Sequence, residues 1–364
     1  MPRRIEPSAL GSQLGLGRLL SELEAGGVGL RPEAQRILAA LPKPPHPSHR
    51  LGITGTPGVG KSTLLDHLIA LLRAQGQRVG VIAVDPTSPL TGGAILADRL
   101  RLSRHSTDDG VFIRSLASRG SLGGVAPAAS AVAAVLEAAG YSRVLIETVG
   151  MGQTGYDVAS LADTVAVLLS PEAGDAVQLL KAGVLEVGDI FAVNKSDRPG
   201  AEALIAEIEA SLDLSGAVRA GEWHHSLAEP TSAHDIQVGE LERAAASQPL
   251  AGGRRPPLPP VAGEPGLWRP PVIRLIASEG VGVEQFADRV EAHRTWLSGL
   301  PADHPRRRQR IVRELAFILR TEVSAALETA LAPAIESLAT EVHGGACTLW
   351  EAAAKLRAEL RGRL

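Results

Sequence analysis

"GITGTPGVGKST", Gly52 to Thr63, decides the reading of this chain. Within it, Gly55-Thr56-Pro57-Gly58-Val59-Gly60-Lys61-Ser62 matches G-x-x-x-x-G-K-[ST] in full, and Thr63 follows. "RLGITG" in front of it is a short apolar strand pattern. "GKSTLLDHLIALLRAQG" behind it has helical spacing and stops at Gly76. Glycines let the backbone turn successive N–H groups inward, which makes a concave anion site. A helix starting near Lys61 adds the positive end of its dipole. In such a loop Lys61 reaches the β- and γ-phosphates and the Ser62 hydroxyl binds Mg²⁺.

Outward from this loop, strand and helix patterns alternate. "RVGVIAVD", "RVLIET", "DTVAVLLS", "DIFAVNK" and "PVIRLIA" read as five further buried strands after the first. Helical spacing separates them in "APAASAVAAVLEAAG", from about Ala176 to Val187, and in "AEALIAEIEASL"; "VEQFADRVEAHRTWL" follows the last strand. This predicts an α/β fold with a mostly parallel sheet covered on both faces. Residues 1–49 read as a helical N-terminal extension, with short helices between about Leu10 and Leu41 and a proline-rich link before Arg50. The phosphate-loop domain spans 50–300, with a loop-rich insertion over 213–271. Residues 301–364 form a helical C-terminal segment whose stripe of Ile311, Leu315 and Ile318 points to dimerisation.

Composition narrows the class. A formal net charge of −3 argues against a nucleic-acid binder. The single cysteine, Cys347, excludes a disulfide framework and a multi-cysteine metal cluster. No apolar stretch is long enough for a membrane span, and "MPRRIEPSAL" leads into no signal core, so a soluble cytoplasmic protein is expected. His224, His225, His234 and Asp235 in the insertion lack regular ligand spacing and read as a solvated loop.

"AVNKSD" ends the fifth strand pattern with Asn194, Lys195 and Asp197 in N-K-x-D spacing. A carboxylate there accepts from the N1–H and N2–H₂ of guanine, whereas adenine would leave it unpaired. Asn194 braces the loop and the Lys195 stem lies over the ring. After the sixth strand, Ile276, Ala277 and Ser278 stand where a second guanine loop is expected, so the Ala277 or Ser278 amide meets the base O6.

The third strand runs into "VLIETVGMGQ". Glu147 stands where many such enzymes hold Mg²⁺ with an aspartate, and the Gly150 amide meets the γ-phosphate. Met151 follows, and a thioether cannot orient the attacking water as a glutamine amide does. Gln153 is a candidate substitute or an ordinary loop amide. Asp85 ends the second strand, beside the crevice of an open α/β sheet, as a metal-water ligand or base. Asp98 faces the metal or forms a solvated helix face, and Arg119 is a phosphate clamp or a surface residue.

With these residues assembled, the chain resembles the MeaB/ArgK family of P-loop GTPases, the methylmalonyl-CoA mutase-associated proteins. The resemblance lies in "HRLGITGTPGVGKSTLLDHL", "VIAVDPTSPLTGGAILADRLRL", "VFIRSLASRGSLGGVA", "ETVGMGQ", "PEAGDAVQLLKAGVLEVGDIFAVNKSD" and "WRPPVI". It implies a homodimeric chaperone that binds GTP and GDP with Mg²⁺. Such a protein gates adenosylcobalamin loading and protects or reactivates a cobalamin-dependent acyl-CoA mutase. It also implies that "PEAGDAVQLLKAG" is a mobile segment coupling nucleotide to partner, with Asp175 and Lys181 as its acid and its lysine. Two other readings are a nickel-insertion GTPase, which calls for Cys or His ligands near the nucleotide, and a kinase or transport-associated ATPase. "NKSD" favours GTP over the latter.

Overall fold

The structure, a computed structural model, describes residues 10–24, 32–85, 102–117, 128–148, 158–172, 184–219 and 268–363. Its centre is a seven-stranded sheet in the order β3-β2-β4-β1-β5-β6-β7, with every neighbouring pair parallel. The strands are β1 (His49–Gly55), β2 (Val79–Asp85), β3 (Val111–Ala117), β4 (Arg143–Thr148), β5 (Thr164–Leu169), β6 (Ile190–Val193) and β7 (Val272–Arg274). β1, β5 and β6 are buried at every residue, as a parallel sheet covered on both faces requires.

The sheet has one strand more than the sequence patterns indicate. β3, "VFIRSLA", pairs only with β2 at the sheet edge. Its Arg114 and Ser115 interrupt the apolar run, which an edge position tolerates. The last strand is also shorter than "PVIRLIA". β7 stops at Arg274, Ile276 bridges back to Val281, and Ala277–Glu279 closes a 3₁₀ turn.

Helices α1 (Gln13–Glu24), α2 (Pro32–Ala39), α4 (Ala128–Ala138) and α6 (Ala201–Arg219) supply one face. Their Leu16, Leu20, Val132 and Ile208 share a core with Ile146, Val167 and Phe191. The N-terminal helices thus belong to the domain's core. Each buried leucine there stabilises by about 1.5–3 kcal/mol. The opposite face holds α3 (Lys61–Ala74) and α7 (Val283–Gly299), with Leu64, Leu65, Leu68 and Phe286 against Leu51, Ile53 and Leu168. A single turn, α5 (Val184–Val187), precedes β6, and the part of the expected helix before it lies outside the described residues. α6 continues to Arg219, into the stretch read as loop from 213. No described helix is long and apolar enough to cross a membrane.

The chain ends in two helices, α8 (Pro305–His343) and α9 (Leu349–Arg363), separated by a turn that contains Gly345 in the left-handed region. The root of α8 is held by charge. Arg50, 4% exposed, grips Glu137 through Nε and Nη2 at 2.7 and 2.8 Å and Glu314 of α8 through Nη1 at 2.7 Å. Arg310 adds bonds to Asp163 at 2.6 Å and Glu314 at 2.7 Å. With Glu314 turned inward and Phe317 packed on the core, Ile311, Val312, Leu315 and Leu319 are left facing outward. Ile318 is half-buried.

Candidate nucleotide site

β1 lies between β4 and β5; the chain leaves β1 toward β2 on one side of it and leaves β5 toward β6 on the other. Open α/β sheets bind ligands at the carboxyl ends of strands at such a switch point. Gly55–Gly60 turns there from β1 into α3. Gly60 has φ +102°, a left-handed conformation, and no side chain caps the helix behind it. A helix start without a side-chain cap can take an anion in that place. Lys61 and Ser62 are both 7% exposed. The Lys61 ammonium folds back onto the loop, donating to the Gly55 carbonyl at 2.8 Å and the Thr56 carbonyl at 3.1 Å.

Behind the loop, Ser62 Oγ donates to Glu147 Oε1 at 2.8 Å. β1 and β4 pair with Ile53 opposite Glu147, which sets the carboxylate beside the start of α3. Glu147 is 2% exposed. Asp85 ends β2, one residue beyond the pairing of Val84 with Thr148, so its backbone lies at the same edge. Its side chain lies outside the described residues, as do Asp98, Arg119, Gly150, Met151, Gln153, Asp175 and Lys181.

On the base side, buried Asn194 joins three loops. Its Nδ2 donates to the Val59 carbonyl at 2.7 Å, and its Oδ1 accepts from the Ala277 amide at 2.9 Å. Its own amide donates to Leu169 O at 2.8 Å. The Ala277 amide is therefore already engaged by Asn194. Lys195 has φ +55°, the one positive value among described non-glycine residues. Asp197, 46% exposed, stands in the same cleft.

That cleft holds about 270 Å³. Gly58, Gly60 and Thr63 line it from the phosphate side, and Lys195, Asp197, Ile276, Ala277 and Ser278 from the base side. Two further lining residues, Glu172 and Arg198, were not singled out from sequence. Glu172 Oε2 accepts from Lys195 Nζ at 2.8 Å, and that ammonium holds the Glu172 carboxyl below the usual carboxylate range. Arg198 could have been suspected as the residue next to Asp197. Nothing in the local sequence links Glu172 to Lys195.

The family description "Methylmalonyl Co-A mutase-associated GTPase MeaB" matches residues 16–332. A protein of Pyrococcus abyssi that carries a GTPase name is 40% identical over 281 residues, 77% of this chain and 73% of its own length. GTPase ArgK of Escherichia coli is 46% identical over 148 residues, 41% of this chain and 45% of its own. The crystal structure of a LAO/AO transport system kinase shares the fold with a TM-score of 0.58 at 21% identity, covering 99% of this chain and 96% of that one. The phosphate loop, the N-K-x-D loop and the parallel sheet that joins them agree with these likenesses: the chain is a P-loop GTPase and belongs to the methylmalonyl-CoA mutase-associated MeaB family.

Proposed function

We propose that this GTPase is a homodimeric chaperone of a cobalamin-dependent acyl-CoA mutase, gating adenosylcobalamin loading and protecting or reactivating the mutase. The family's description supports the partner. The observation that carries the nucleotide part is Asn194, which ties the phosphate loop and both base loops into one unit. An occupant of the cleft touches all three.

In this reading the phosphate loop over Gly55–Ser62, through its glycine N–H groups, and the start of α3 receive the phosphates, with Thr63 beside them. Lys61 exchanges two loop carbonyls for β- and γ-phosphate oxygens. Asp197 accepts from guanine, Lys195 covers the ring, and the Ser278 amide meets O6. Ser62 and Glu147 present a hydroxyl and a carboxylate side by side, a hard-oxygen pair that fits Mg²⁺. When bound, Mg²⁺ neutralises charge on the β- and γ-phosphates. Water attacks the γ-phosphorus of GTP, the bond to the β–γ bridging oxygen breaks, and GDP leaves with inorganic phosphate as the second product. Asp85, Asp98 and Gly150 are assigned to the metal and γ-phosphate side, and Asp175 and Lys181 to partner-coupled catalysis. With Met151 unable to orient water, the free protein turns over slowly.

The test is GTP turnover with and without a purified cobalamin-dependent mutase. Stimulation that falls sharply in Lys181→Ala, with basal turnover unchanged, supports the chaperone switch. Turnover indifferent to the mutase, together with no retention of mutase on GTP-loaded protein, removes the partner assignment.

A further inference from the structure

We propose that Glu172 sharpens the guanine preference of the cleft by sharing Arg198 with Asp197, so that the guanidinium does not settle on Asp197 in bidentate fashion. The proposal rests on the guanine reading of Asp197 and deepens it.

Four alternating charges stand at the mouth of the cleft. Lys195 Nζ lies 2.8 Å from Glu172 Oε2. Arg198 Nε lies 3.7 Å from Glu172 Oε1 and 3.5 Å from Asp197 Oδ2. Arg198 is thus shared between two carboxylates. The backbone of this loop has little freedom to redistribute them. The Lys195 carbonyl accepts from the Arg198 amide at 3.0 Å, and the Asn194 and Ser196 amides are tied to Leu169 and Leu275 at 2.8 and 3.0 Å.

The chemistry makes Arg198 a competitor. A guanidinium presents a planar fork of N–H donors that matches a carboxylate in bidentate fashion. The N1–H and N2–H₂ edge of guanine offers Asp197 the same fork. An arginine settled on Asp197 would therefore occupy the base-reading carboxylate with an internal imitation of the base. Glu172 reaches across from the end of β5 and supplies a second carboxylate for the same cation. It also holds Lys195, so the two cations do not converge on Asp197. All four groups are partly exposed, at 47% for Glu172, 59% for Arg198, 46% for Asp197 and 37% for Lys195. Each pairing is therefore weak, and removing one partner redistributes the others.

Equilibrium binding of GDP and of IDP, whose base lacks the 2-amino group, tests this by calorimetry at fixed Mg²⁺. Glu172→Gln is expected to weaken GDP binding about two- to fivefold, the range that exposed ion pairs carry. It is also expected to lower the GDP-to-IDP affinity ratio. Arg198→Gln added to Glu172→Gln should restore both. A Glu172→Gln chain with the wild-type affinity and ratio overturns the proposal. So does a loss that Arg198→Gln fails to restore, because Glu172 would then act through Lys195 or the fold alone. A wild-type chain that does not prefer GDP to IDP overturns the guanine reading itself, and the proposal with it.

Discussion

A Cβ built on Gly60 would sit 2.2 Å from Nδ2 of Asn194. The phosphate loop and the base loop are therefore in contact at a point where only glycine fits. Gly60 also has φ +102°, so a side chain there is strained whatever the space.

Gly60→Ala is expected to lose stability and nucleotide together. Left-handed strain costs about 1–3 kcal/mol. Displacing Asn194 from Val59 and Ala277 exposes buried polar groups, at about 1–3 kcal/mol each. Calorimetric unfolding and GDP titration of the same preparation check this. A variant that keeps wild-type GDP affinity would show that the two loops work independently.

Lys61 and Glu147 should separate in their effects. Lys61 Nζ rests on loop carbonyls that phosphate oxygens would replace, so Lys61→Ala should weaken GTP binding at least tenfold, ~1.4 kcal/mol. Glu147→Gln keeps the shape beside Ser62 but removes the charge. Its GTP hydrolysis should fall at least tenfold, ~1.4 kcal/mol on the barrier, with a smaller change in GDP affinity. Single-turnover hydrolysis with Mg²⁺ titration distinguishes the two. Normal hydrolysis by Glu147→Gln ends the metal-side assignment.

Acid should destabilise the fold from about pH 6.5 downward. His49 and His293 both meet the Thr164 hydroxyl, at 2.8 and 2.7 Å, at the amino ends of β1 and β5. Burial pushes His49 down to about 3 and His293 down to about 4, from 6.5. Both rings are neutral in the fold between those values and 6.5, while the unfolded chain takes up protons. Stability is therefore full above 6.5 and falls as pH drops toward 4, by ~1.4 kcal/mol per pH unit for each ring wholly within the window. Glu137, held low chiefly by its hydrogen bond and charge contact with Arg50 against the opposing cost of burial, adds its loss only below its ordinary 4.5. Denaturant unfolding between pH 4.5 and 6.5 should show a flatter slope in His293→Gln. An unchanged slope would mean that His293 is not buried neutral.

The outward row on α8 should mediate self-association. Leu315 is 56% exposed and Leu319 60%, beside Ile311 and Val312. Stripes of this kind are covered by another helix face. Leu315→Glu with Leu319→Glu should give a monomer in light scattering without changing basal GTP turnover. A double variant that keeps a dimer mass moves the interface elsewhere.

Most of this was legible locally. The phosphate loop needed only the spacing of Gly55, Gly60, Lys61 and Ser62, because the backbone itself forms the anion site. The fully buried strands announced themselves as continuous apolar runs. β3 did not, because Arg114 and Ser115 break its apolar run, Arg114 donating to Ser21 of α1. α6 runs past Leu212 through Ser215 and Gly216, weak helix formers that gave no sign of it. Neither the capture of the Ala277 amide by Asn194 nor the reach of Glu172 to Lys195 could be seen from spacing. Both join segments that only the closed sheet brings together.

The charged clasp around Arg50 also fixes a direction. Arg50 lies near the start of β1, the strand whose other end becomes the phosphate loop, and it holds α8 near its beginning. α8 is 39 residues long, which at the rise of an α-helix spans about 58 Å. Pro333 interrupts its hydrogen-bond ladder. The stretch before that proline is the part joined to Arg50 by unbroken helix, so a surface gripping it would be tied to the nucleotide strand through one element.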